Sequence, residues 1–305
     1  MNRKRGIIRA LLVLLLLGIA LVLMIYPFIA NYIFENRADS IVSTIERKAE
    51  NTDSAKWKNA VEQAKLYNHV IASGHIQLKD PFIAEELEEA AGEYMGLLCM
   101  TEDGVMGFIE IPSISLSLPI YHGTSDQVLE MGAGHLQGTS LPVGGESTHT
   151  VLTGHSGLSN ARLFTDLTEM EENDIFFLNV MGQKLAYKVD QIKTVLPTEL
   201  DDLYVIPGKD YCTLITCTPY GVNTHRLLVR GIRTDDMEMR GNSQVFRKKQ
   251  KESKWMAEYK RAMVISVSIF LLCLVLLFTK RKYDAERKSH SVIQEDERRN
   301  ISNET

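Results

Sequence analysis

Tyr211-Cys-Thr-Leu-Ile-Thr-Cys-Thr-Pro-Tyr-Gly-Val-Asn-Thr-His-Arg-Leu-Leu-Val-Arg-Gly231 reads as two strands joined by a short loop. Side chains alternate between the faces of a strand, so Thr213, Ile215 and Cys217 share one face and Cys212 points the other way. Pro219 ends the first strand, Gly221 and Asn223 supply turn chemistry, and the second strand begins near His225. Paired as a hairpin, the base of the loop brings Cys217 and Arg226 together. A fixed guanidinium beside a thiol favours the thiolate and can stabilise a developing oxyanion. An isolated cysteine is more often a buried structural thiol beside a surface arginine, so the hairpin alone leaves its role open.

Working outward, the same alternation recurs. Gly107 to Tyr121 alternates apolar and polar residues and is cut by Pro112 and Pro119. Further short strands are predicted over Thr148–Leu152, Ile175–Val180, Lys184–Thr194, Tyr211–Thr216 and His225–Arg233, with glycine turns between several of them. Short strands without intervening helices predict an all-β barrel or sandwich over 105–234. Upstream, Ile41, Val42 and Ile45, then Trp57, Ala60, Val61 and Ala64, recur at helical spacing. Asn51-Thr52-Asp53-Ser54 breaks this helical region, which runs from Asn31 to about Gly74. Asp80-Pro81-Phe82 interrupts next, with Pro81 pushing Asp80 towards extended geometry, and Ala84 to Tyr94 reads as a polar helical piece. The stretch 235–261 is polar and reads as a tether.

The ends are different. Ala10 to Ala30 is an uncharged run of 21 residues, and Ala262 to Thr279 is a second apolar run. A helix rises about 1.5 Å per residue, so about 20 residues cross the hydrocarbon core. Arg3, Lys4, Arg5 and Arg9 precede the first run, and Lys280, Arg281 and Lys282 follow the second. Positive flanks stay in the cytoplasm. Residues 1–9 and 280–305 are therefore expected inside, and the stretch between the spans outside. The first run reads as an anchor, with a cleaved signal peptide as the alternative. The net charge of -5, with no basic stripe, gives no reason to expect nucleic acid. The four cysteines are Cys99, Cys212, Cys217 and Cys273, too few for a disulfide-stapled exported domain, although a Cys99–Cys212 bridge stays open. No metal-ligand spacing appears, and no cofactor is expected.

A base must accompany a reactive thiol. His155 follows a strand in the glycine-flanked turn Thr153-Gly-His-Ser-Gly157, where its ring can be exposed. Spacing alone does not separate it from His69, His75, His122, His135, His149 and His225.

Thr213-Leu-Ile-Thr-Cys217 resembles the Thr-Leu-x-Thr-Cys motif of the sortases. Thr153-Gly-His155 is similar to their catalytic histidine segment, and Arg226, nine residues beyond the cysteine, matches their catalytic arginine. Ile111-Pro112, Leu118-Pro-Ile120 and Gly134 to Gly145 also resemble the family. Asp80-Pro-Phe82 looks like the lid motif of class C, the pilin-polymerising sortases, and the carboxy-terminal span is similar to theirs. The resemblance implies a closed β-barrel over 105–234, a helical region with a lid over 31–104, and two flanking spans. It implies a cysteine transpeptidase acting on a Leu-Pro-x-Thr-Gly-type sorting signal, with Cys217 as nucleophile, His155 as acid and base, and Arg226 holding substrate and oxyanion. The expected partners are pilin or surface proteins carrying that signal, with a pilin lysine as acceptor. The expected site is the membrane's outer face. A wall-anchoring sortase, a generic cysteine hydrolase and a non-catalytic tethered binding module are the alternatives.

Overall fold

The computed structural model describes residues 2–51, 54–74, 77–82, 91–101, 103–158, 160–234 and 260–276, with 257, 278–280, 282–283 and 287. Most of the expected helix at 84–94, most of the tether at 235–261 and most of the tail at 283–305 lie outside the described residues.

Two compact units divide the chain: one holds 1–26 and 254–305, the other holds 27–253. In the first, helix α1 (Asn2–Asn51) begins, and a second apolar helix covers Lys260–Lys280. Both are long and apolar enough to cross a membrane, judged by length and composition. Leu15, Leu16, Val22 and Leu23 are exposed along α1, as apolar side chains would be if lipid were their solvent.

In the second unit, the rest of α1 and helix α2 (Ser54–Ser73) lie against a barrel. Val42 and Ile45 from α1, then Val61 and Ala64 from α2, enter the main core at helical spacing. Asn68, buried on α2, fixes the docking. Its Nδ2 donates to the Leu141 carbonyl at 3.1 Å, and its Oδ1 accepts from the Leu141 amide at 2.7 Å. A short helix α3 (Ala91–Gly96) leads into the barrel.

The barrel strands are β1 (Val105–Ile111), β2 (Leu116–His122), β3 (Ala133–His135), β4 (Thr148–Thr153), β5 (Ile175–Val180), β6 (Gln183–Val195), β7 (Asp210–Thr218) and β8 (His225–Arg233). They close in the order β1-β2-β3-β4-β7-β8-β6-β5, which leaves no open edge. The pairs β2–β3 and β4–β7 are parallel and the others antiparallel. The stretch from Gly107 to Tyr121 is two strands rather than one, because Pro112–Ile114 forms a helical turn that folds it back. β3 has three residues, too few for alternation to announce it. Between β2 and β3, helix α4 (Asp126–Met131) starts at Ser125, whose Oγ accepts from the Val128 amide. Gly107 sits where β1 crosses β5 so closely that a Cβ would lie 2.3 Å from the Asn179 carbonyl oxygen.

Ile109, Leu118, Ile120, Leu152, Leu178, Leu214 and Val229 belong to the main core, together with Cys212. A separate apolar cluster joins Val151, Val195, Ile215 and Leu228 with Leu78, Leu136 and Leu203. Strand alternation explains the division: Leu152 and Leu214 face one way, Val151 and Ile215 the other. The second cluster therefore lies on the outer face of the β4–β7–β8–β6 wall.

Candidate active site

The outer cluster ends at a group of polar side chains where β4, β7 and β8 terminate. Cys217 and Arg226 are direct cross-strand partners in the β7–β8 pair, and Thr218 faces His225 at the last rung. Cys217 is 8% exposed and Arg226 7% exposed, so neither is a free surface group.

His155 follows β4 immediately. The parallel register sets Thr153 opposite Ile215, and the pairing continues past the strand end. The Gly154 amide donates to the Ile215 carbonyl at 3.0 Å, and the Thr216 hydroxyl donates to the Gly154 carbonyl at 2.8 Å. Ser156 Oγ donates to the carbonyl of Cys217 itself at 2.6 Å. Phe164 closes the far side, its amide donating to the His155 carbonyl at 3.0 Å. A Cβ at residue 154 would sit 2.7 Å from the Phe164 ring, so the turn needs glycine there. This frame holds the backbone of His155 beside that of Cys217. Among the described residues none hydrogen-bonds the imidazole, so the backbone frame orients it in place of a carboxylate.

Segment 77–82 crosses the site from outside. Residues 77 to 80 alternate exposed and buried, which aims Leu78 and Asp80 inward. Leu78 joins the outer cluster and Phe82 packs against it. Asp80 meets Arg226 two-pronged: Nε donates to Oδ1 at 2.9 Å and Nη2 to Oδ2 at 2.6 Å. The carboxylate is 3% exposed and the guanidinium 8%, so the pair is shielded from water and salt. Arg226 Nη1 donates to the Asn223 and His225 carbonyls, which ties the guanidinium to its own loop. The Phe82 ring lies between the two other groups. Its centroid is 5.7 Å from that of His155, and the Arg226 guanidinium carbon is 4.9 Å from it.

The electrostatics follow from this cover. Burial pushes the Cys217 thiol up, Arg226 pulls it back, and the Asp80 charge pushes it up again. Burial pushes His155 down, against the pull of Asp126 and Glu130. Burial, the largest single influence, would lower Arg226, but the bond to Asp80 and the charges of Cys217 and Asp80 together outweigh it, and the guanidinium holds its proton more tightly. With segment 77–82 in place, both shifts work against the charged forms, the thiolate and the imidazolium.

The structure thus brings together Cys217, His155, Arg226, Asp80 and Phe82, while Pro81 is buried beside them. Of the other candidate histidines, His75 lies outside the described residues, His69 is exposed on α2, and His225 stands at the last rung opposite Thr218. His122, His135 and His149 are buried, and each has both ring nitrogens bonded. Cys99 and Cys212 are free thiols, one exposed and one inside the barrel, so the bridge between them does not form. Sequence reasoning missed Ser156, Thr216 and the outer apolar cluster. The last had a signal, since Val151, Ile215 and Leu228 are apolar on the face opposite the core.

A family model described as "Sortase domain" matches residues 109–234. Sortase A of Streptococcus agalactiae serotype III is 30% identical over 117 residues, 37% of this chain and 47% of that protein. Sortase A of Bacillus anthracis is 30% identical over 127 residues, 42% of this chain and 59% of that protein. The chain thus spans about half the length of these curated relatives. Among solved structures, Streptococcus pneumoniae sortase C is 41% identical with a TM-score of 0.58, covering 64% of this chain and 97% of that one. Actinomyces oris sortase C-1 is 45% identical with a TM-score of 0.57, covering 59% and 99%. Streptococcus agalactiae sortase C1 is 46% identical with a TM-score of 0.58, covering 62% and 95%. At 41–46% identity over 95–99% of these sortase C chains, and with a sortase family model matching its barrel, this chain belongs to the sortase family and stands with the class C sortases.

Proposed function

We propose that this protein is a membrane-anchored cysteine transpeptidase that joins pilin subunits through Leu-Pro-x-Thr-Gly-type sorting signals. The observation that carries the reading is the pairing of Cys217 with Arg226, with His155 stitched beside Cys217. Once segment 77–82 lifts, His155 takes the proton of Cys217, and the thiolate attacks the Thr carbonyl of the signal. Arg226, released from Asp80, stabilises the oxyanion. His155, as imidazolium, donates its proton to the departing Gly amine, leaving a thioester on Cys217. The incoming lysine amine gives a proton to His155 and attacks the thioester. The thiolate departs, and an isopeptide bond forms. One amide replaces another, so the exchange needs no cofactor or external energy source.

Asp80-Pro81-Phe82 acts as a lid. Asp80 occupies the guanidinium that the substrate needs, and Phe82 lies against both His155 and Arg226. Leu78 anchors the segment, a buried leucine contributing roughly 2 kcal/mol. Lifting the lid therefore has a cost that a cognate substrate must offset. The positive flanks of both apolar helices support cytoplasmic termini with the barrel outside. The class C relatives support pilin over cell-wall substrates, and the S. pneumoniae structure is described in terms of pilin substrate specificity.

The test is a competition. The full chain in detergent receives a sorting-signal peptide together with a pilin domain bearing a candidate lysine and a peptidoglycan stem peptide bearing an amine. Transfer to the pilin lysine is the expected product. Transfer to the stem amine alone would favour wall anchoring, and release of free acid with both amines abundant would mark a hydrolase.

A further inference from the structure

Thr153 is fully buried on β4, and its Oγ1 has no hydrogen-bond partner among the described residues. The other buried threonines of β4 and β7 are satisfied. Thr148 donates to the Gly145 carbonyl at 2.7 Å and Thr150 to the Leu141 carbonyl at 3.3 Å. Thr213 pairs with His149 Nε2 at 2.7 Å, and Thr216 is bonded to Gly154. Buried hydroxyls are nearly always bonded, because a dry unpaired one loses its water without replacement. An orphan at this position therefore calls for a reason.

Its place in the sheet supplies one. Thr153 shares a face with Val151, which belongs to the outer cluster beneath Leu78 and Phe82. The register sets it beside Ile215, one pleat back from Cys217. One pleat is about 7 Å, the span of two residues in an extended peptide. An apolar wall at that point would be filled equally well by valine, which has the same shape. The hydroxyl is thus superfluous to packing in the closed form and unfavourable to it.

We infer that Thr153 is a substrate-orienting residue whose hydroxyl donates to a main-chain carbonyl of the sorting peptide, about two residues from the carbonyl that Cys217 attacks. An extended peptide laid along the outer face of β4 and β7 presents carbonyls on one side at that spacing. The hydroxyl rotates freely to meet one. The lid segment covers the donor in the closed form, and the peptide satisfies it in the open form. This inference rests on the transpeptidase reading and adds to it the group that fixes the register of the peptide.

The experiment uses the full chain in detergent and an internally quenched Leu-Pro-Ala-Thr-Gly peptide, with Thr153→Val, Thr153→Ser and Cys217→Ala beside the parent. Thr153→Val removes an orphan from an apolar wall, so its melting temperature is expected to rise. Its KM is expected to rise about tenfold, as for a lost hydrogen bond to a substrate, with kcat changed by less than about twofold. Thr153→Ser is expected to restore the parent KM. A Thr153→Val enzyme with the parent KM would overturn the inference while leaving the transpeptidase reading intact. So would a KM increase that accompanies a lower melting temperature and persists in Thr153→Ser, since that pattern reports packing. Cleavage that survives Cys217→Ala, or a parent that never cleaves the peptide, would overturn the transpeptidase reading and the inference with it.

Discussion

The two faces of β7 carry the same residue type five positions apart and treat it in opposite ways. On the inner face, Cys212 is fully enclosed in the main core with Leu214. Burial first, and the Asp210 charge second, hold its thiol well above the ordinary value. Nothing near it favours the thiolate. On the outer face, Cys217 is also pushed up by burial, but a guanidinium opposes the push and a carboxylate on a separate segment restores it. The inner thiol is fixed by packing that cannot change without unfolding. The outer thiol answers to burial first, then to Arg226, and least to Asp80, whose carboxylate belongs to a separate segment. The two thiols thus differ in the face of β7 that each occupies and in the charged neighbours that stand beside it.

The largest expected contrast is in turnover. Cys217→Ala should lower acyl transfer by about 10⁴-fold or more, as loss of a nucleophile does, whereas Cys212→Ala should keep the activity and lose only some stability. Rates measured with a sorting peptide and an amine acceptor check both. Equal losses in the two variants would erase the distinction between the faces.

Arg226→Ala comes next. Removing an oxyanion donor costs about 10²–10³-fold in kcat. It also strands the buried Asp80 carboxylate, which destabilises by about 3 kcal/mol. Adding Asp80→Ala should recover much of that stability and none of the activity. Denaturant midpoints and kcat, followed together, separate the two effects.

Opening the lid is a smaller effect and sharpens the role of Asp80. In Asp80→Ala/Phe82→Ala, the Cys217 thiol should react with a small alkylating reagent about tenfold faster than in the parent at neutral pH. The Asp80 charge raises the thiol, so its removal moves the alkylation-versus-pH curve to lower pH. Equal rates and superimposable curves would count against a lid.

The gentlest effect is on stability and tests the buried histidines against the site. Burial pushes His135 and His149 down to about 4 from an ordinary 6.5. The unfolded chain then binds protons that the folded chain refuses, so stability is full above the ordinary value and falls as pH drops from 6.5 towards 4. His135→Gln or His149→Gln should flatten that fall in melting temperature, while His155→Gln, at a half-buried position, should alter it less.

The hairpin was legible in the sequence because alternation and turn residues are local: Cys217 opposite Arg226 needs only the period of two and the Pro219–Asn223 loop. The helices were legible for the same reason, down to the break near Asn51. Other features came from contacts far apart in sequence. Asp80 reaches Arg226 across 146 residues, and only the family resemblance pointed to that meeting. β3 is set by pairing with β2 and β4, with three residues and no pattern of its own. Choosing His155 over the six other candidate histidines rested on the family resemblance, since no spacing ties residue 155 to residue 217; the β4–β7 register is what holds the two together. Thr153 looked like any strand threonine until its neighbours proved bonded and it did not.

Intact-mass and peptide-mapping analysis of the full chain after incubation with a sorting peptide tests the central claim most directly. A thioester adduct is predicted on Cys217 in the parent and in Cys212→Ala, with none in Cys217→Ala. An adduct on another residue, or one that persists in Cys217→Ala, would contradict the account.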